Sequence, residues 1–259
     1  MDNKLLNDFK VPSMGRFGDY HVSFSLWVLL FSVFSFLPKG PTQWAYIGAI
    51  AAYSTFLILT IFLLVATISL KVKEYVQFFL LIGGLVVSFL VSKYGGEFIP
   101  VQALKSPALL LTSVSVAILL VRRIEKSWHI AIAGVVGLIA DLWSVFSSSG
   151  LTKHLVEEAP QFLNYLLLGF PFPGGQVRPM IGAADYVFLA IFVLHCHKFE
   201  LDATKNLKWL SFSLVVTVVL ANFLGMGLPA IPLMALFFVV LNRKRLWGDF
   251  VTDFRKGFK

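Results

Sequence analysis

Cysteine is almost absent: Cys196 stands alone in 259 residues, so no disulfide can close within the chain. Acid is scarce too, with 14 Asp and Glu against 22 Lys and Arg, and charged residues make up only 14% of the composition. A water-soluble domain of this length carries about 25% charge. Hydrophobic residues instead reach 58% and mean hydropathy is +0.81, which moves the chain into the membrane class. Linkers, low-complexity tracts and internal repeats are also missing, so residues 1–259 read as one integral membrane domain. No basic stripe is interleaved with stacking aromatics, and the net charge of +8 therefore does not mark a nucleic-acid partner.

Runs without charge recur along the whole sequence. A helix needs about 20 apolar residues to cross a bilayer, because lipid offers no partner to an open backbone group. Eight segments are expected, at residues 22–37, 44–70, 75–92, 107–121, 128–146, 180–196, 208–224 and 228–241, giving an all-α polytopic membrane bundle. Residues 1–127 form a helical scaffold, 128–242 carry the motifs described below, and 243–259 form a basic tail. Lys4, Lys10 and Arg16 precede the first segment as in a secretory signal, but no small-x-small cleavage site follows, and the segment reads as a retained span. If the segments alternate in direction, one side collects 17 of the 22 cations; the other has Lys39, Lys93, Lys105, Lys153 and Arg178. That asymmetry places both termini in the cytoplasm and the connector at 149–178 outside. Gln161 to Phe172 within the connector is apolar and bounded by prolines, which predicts a short surface helix followed by a break at Pro173, Gly174 and Gly175.

Two of the 14 acids lie inside apolar segments, Asp141 and Asp185. An ionised Asp at the centre of a membrane helix costs about 3 kcal/mol, so such a group marks a site before it marks a fold. Asp141 lies five residues before the end of the fifth segment and Asp185 five after the start of the sixth, so both are expected about 7.5 Å inside the connector face. Two carboxylates held together retain one proton between them, which provides an acid and a base in one place. Ser144 and Ser148 continue the Asp141 face and offer a polar path for water. Near the last segment, Gly225, Gly227, Pro229 and Pro232 interrupt the helix and leave backbone groups open to a partner.

Ala140-Asp141-Leu142-Trp143-Ser144-Val145-Phe146 resembles the first aspartate helix of presenilins and signal peptide peptidases. Gly182-Ala183-Ala184-Asp185 is similar to their Gly-x-Gly-Asp motif, and Pro229-Ala230-Ile231 to their Pro-Ala-Leu motif, in the family's order across the C-terminal half. The resemblance implies an intramembrane aspartyl protease with Asp141 and Asp185 as catalytic dyad and with Gly182, Pro229, Ala230 and Ile231 receiving substrate. It implies no cofactor beyond a catalytic water, no metal, and substrates that are transmembrane-helix proteins or signal peptides in a lipid bilayer, cut near the outer leaflet. Ala140 stands where the family has Tyr and Ala184 where it has the second Gly, and eight segments stand against the family's nine. The lack of long extramembrane domains fits a minimal prokaryotic version. Oligomeric state and substrate identity are left open.

Two other functions use the same residues. A prepilin-peptidase-like protease also has two membrane aspartates but faces them to the cytoplasm, and a transporter or scaffold would use the pair for protonation or partner binding. In the bland case each Asp is a structural contact, with Asn222, Thr217 or a backbone carbonyl as partner. His195, Cys196 and His197 point apart on a helix and make no metal site.

Overall fold

The computed structural model describes residues 20–37, 42–69, 74–95, 99–147, 149–150, 154–155, 158–159, 162, 165–172, 176–224 and 228–257. Ser148, Gly225, Gly227, Pro173, Gly174 and Gly175, singled out above, lie outside them. The elements are α1 (Tyr20–Phe36), α2 (Thr42–Ile68), α3 (Glu74–Tyr94), α4 (Ile99–Arg123), α5 (His129–Phe146), β1 (Leu167–Phe172), β2 (Gln176–Gly182), α6 (Ala183–Lys198), α7 (Ala203–Leu224) and α8 (Ile231–Gly257). Helix dominates, as the composition implies. Among the described residues, four stretches are long and apolar enough to cross a membrane: Ala51–Ile68, Tyr75–Tyr94, Val101–Arg123 and His129–Phe146.

The chain divides into two units. One comprises Ser13–Val116 with Ala159–Val187, and the other is built chiefly from Ala117–Glu158 with Phe188–Lys259. In the first, Trp27, Phe31, Phe56 and Phe170 form an aromatic core, with Trp27 and Phe56 edge to face at 5.4 Å and Phe170 stacked on Phe56 at 6.2 Å.

Helix α4 begins eight residues earlier than the apolar run, crossing both Lys105 and Pro107. Pro107 has no N–H for the carbonyl of Ala103, four residues back, and a buried carbonyl without a donor is expensive. The indole N–H of Trp27 supplies it at 3.0 Å, so the helix passes through the proline intact. Gly84 lets α3 approach closely: a side chain there would meet the Thr112 hydroxyl and the Ala108 carbonyl of α4.

The surface helix expected over 161–172 is overturned from Leu167 onward. Strands β1 and β2 pair antiparallel, Phe172 opposite Gln176 and Leu167 opposite Gly182, with an irregularity at Leu168/Gly169. Gly169 and Pro171 both resist helix, and the run is buried on both sides, Leu168 and Phe170 on one face, Gly169 and Pro171 on the other. Pro179, which has no ladder N–H, falls at the irregularity, where strands tolerate it.

In the second unit, α5 turns a stripe of Ile130, Gly134 and Gly137 inward and leaves Ile132, Val135, Val136, Ile139 and Trp143 exposed on the opposite side. Ring stacking of Phe192 on Phe238 at 4.7 Å joins α6 to α8. Asn206 and Asn242 exchange amide hydrogen bonds of 2.7 and 3.2 Å between α7 and α8. Helix α8 does not end near residue 241 but runs on to Gly257 through the basic tail.

Candidate functional site

Asp141 continues the inward stripe of α5, four residues beyond Gly137. A Cβ on Gly137 would lie 2.6 Å from the Phe188 ring and 3.3 Å from Ile231 Cγ2, so glycine is what lets α5 approach the start of α8. The carboxylate Oδ2 of Asp141 accepts a hydrogen bond from the backbone N–H of Ile231 at 3.2 Å. The need for that bond follows from the local sequence. Met234 N–H donates to the Ala230 carbonyl, which makes Ala230 the N-cap and Ile231 the first helical residue. Ala230 has no side-chain oxygen to cap with, and Pro232 has no N–H to satisfy. One of the open N–H groups of the first turn, that of Ile231, is met by an acid from another helix, at the end of α8 where its dipole favours negative charge. Ala230 and Ile231 are buried and Pro229 is half-buried. Two of the three sequence motifs thus meet across 90 residues of chain.

Ser144 is half-buried one turn beyond Asp141. Beyond it the chain folds back on the end of α5, Gly150 N–H donating to the Ser147 carbonyl at 3.0 Å. Thr217, weighed above as a partner for Asp141, donates instead to the Ser213 carbonyl at 2.9 Å.

Asp185 belongs to the first unit, in the opening turn of α6 immediately after β2. Gly182 ends the strand, and a Cβ on it would stand 3.4 Å from Asp185 Oδ2, so this residue and the second aspartate are neighbours. The turn is held by hydroxyls from α4, a feature the sequence reading passed over. Ser113 donates to the Ala183 carbonyl at 3.1 Å and Ser106 to the Gly169 carbonyl at 2.9 Å, so one helix positions both the start of α6 and strand β1. Ser113 is fourteen residues into α4, so the hydroxyl that holds the start of α6 lies about 21 Å along that helix from Ile99. Residues 180–182, counted as helix from sequence, belong to the strand. The isolated serines of α4, polar positions in an apolar helix, were the available signal. Tyr186, next in sequence, is fully buried beside Thr60.

Ala140 and Ala184 are both exposed, so neither methyl crowds the packing of its helix. His195 is a core residue, its ring 4.4 Å from that of Phe199 and 5.8 Å from that of Phe238. No family model matches the chain, and no curated protein matches it.

Proposed function

We propose that this chain is an intramembrane aspartyl protease of the presenilin and signal peptide peptidase type. The hydrogen bond between Asp141 and the N–H of Ile231 carries the reading, because it joins an intramembrane acid to the proline-broken helix start at which a substrate backbone would arrive. In this proposal all eight helices cross the bilayer, both termini are cytoplasmic, and Asp141 and Asp185 form the dyad.

The ionised carboxylate takes a proton from water while the other carboxylic acid donates to the scissile carbonyl oxygen, and the hydroxide adds to the carbonyl carbon. The tetrahedral adduct collapses as the first carboxyl gives its proton to the leaving nitrogen, the C–N bond breaks, and the second carboxylate takes back a proton from a hydroxyl of the adduct, which leaves a carboxylic acid, an amine and the dyad with its one shared proton. Substrate must be extended to be cut. Among the described residues the sheet has two strands only, so β2 leaves an outer edge leading to Gly182 and Asp185, along which an unwound segment can pair.

Purified protein should cleave a transmembrane-helix reporter, lose that cleavage in Asp141→Ala and in Asp185→Ala, and be blocked by an aspartyl transition-state inhibitor. Equal behaviour of wild type and both variants removes the proposal. Cysteine accessibility of residues 149–178 from the outer side separates it from a prepilin-peptidase-like enzyme.

A scaffold or transporter is the second reading, favoured by the capping of α8, which is a structural use of Asp141. Asp141→Asn keeps an oxygen for the Ile231 N–H and removes the acid. A scaffold tolerates that change and a protease does not.

A further inference from the structure

Past Asn242, α8 changes character. The apolar run Ile231–Leu241 gives way to Arg243, Lys244 and Arg245, and later to Arg255 and Lys256, all exposed on a helix that continues unbroken. Its two acids face its own unit. Asp249 accepts from the Ser127 hydroxyl at 2.5 Å and pairs with Arg245 at 3.3 Å; Asp253 accepts from the Trp128 indole at 3.0 Å and pairs with Lys126 at 3.4 Å. With the acids turned inward, the outer surface carries cations and aromatics. Trp247 and Phe254, 67% and 58% exposed, lie two turns apart on one face, linked through Phe250 by ring contacts of 5.5 and 6.0 Å.

We infer that this stretch of α8 is a binding surface for anionic phospholipid headgroups. The cations begin at the first residues beyond the apolar run, so headgroup phosphates are the first anions they meet. Large aromatic rings left in water are costly, whereas Trp at the headgroup level is at home. Arg243 and Lys244 precede Trp247 and Arg255 and Lys256 follow Phe254, so rings inserted between headgroups are flanked by charge at both ends. The inference needs only that the chain sits in a bilayer and is independent of proteolysis.

The test uses full-length Cys196→Ser protein labelled at Val251→Cys with a polarity-sensitive fluorophore, in nanodiscs of phosphatidylcholine with increasing phosphatidylglycerol. Emission should shift to the blue as the anionic lipid rises, and salt should reverse the shift. Removing Arg243, Lys244, Arg255 and Lys256 as Gln should weaken the apparent affinity about fivefold per cation. Arg243→Lys with Arg255→Lys should keep the response, which guards against misfolding as the cause of loss. Trp247→Ala with Phe254→Ala should lose the blue shift but retain salt-sensitive lipid association. Equal emission in neutral and anionic discs overturns the inference, as does a stronger response to a soluble polyglutamate peptide than to phosphatidylglycerol.

Discussion

Asp141 is held by a partner distant in sequence, whereas Asp185 sits in a turn whose backbone is held by another helix. The first sits well inside a regular helix, and its environment is made by a glycine that lets a second helix approach and by an N–H which that helix cannot satisfy itself. The second follows a strand directly, and hydroxyls from α4 hold that strand and the helix start. Helix-end chemistry couples motifs across the chain, whereas a hairpin brings backbone and carboxylate together locally. A bond-cleaving site needs both, a fixed acid and an extended backbone beside it.

The sharpest break between the halves comes from replacing Gly137 with Leu. The added side chain has no room against Phe188 and Ile231, and the overpacking should cost about 1–3 kcal/mol. It should also part Asp141 from Ile231, seen as faster hydrogen exchange at the Ile231 amide, while the hairpin amides keep their protection. Next is Asp141→Leu, which leaves the Ile231 N–H without its acceptor and should cost about 1–3 kcal/mol in thermal unfolding, whereas Asp141→Asn should cost less because an acceptor oxygen remains. On the other side, Ser113→Ala and Ser106→Ala should each cost about 1 kcal/mol and loosen hydrogen exchange in 167–182 without touching Ile231.

These contrasts follow what was legible. The eight long helices among the described residues fall near the apolar segments because hydrophobic run length fixes them. The pairing of Asp141 with the Pro229-Ala230-Ile231 break was readable in part, since an acid in lipid and an unpaired backbone both demand partners. Strand β1 was not, because a short apolar run looks the same as buried helix or buried strand, and the choice rests on Gly169 and Pro171. The early start of α4 was hidden for a different reason. Pro107 reads as a helix boundary until Trp27, 76 residues distant from Ala103, is seen to supply the lost donor.

The smallest expected effect lies at the basic end of α8. Hydrogen bonding from the Trp128 indole holds the Asp253 carboxyl below its usual range, with the charge of Lys126 adding to it. A lowered carboxylate stabilises the fold above its ordinary titration range, and that contribution is lost as pH falls through the folded value. Wild type should therefore lose a small increment of stability below about pH 4, and Asp253→Asn should remove that part of the pH dependence in parallel melts.

The central claim is that two carboxylates act as one unit. Its most direct test is reporter cleavage by Asp141→Asn, Asp185→Asn and the double variant. Each single change should lower the rate by about 10²- to 10⁴-fold, and the double should be no slower than either single. A single variant that keeps the wild-type rate, or two losses that multiply as independent sites would, contradicts it.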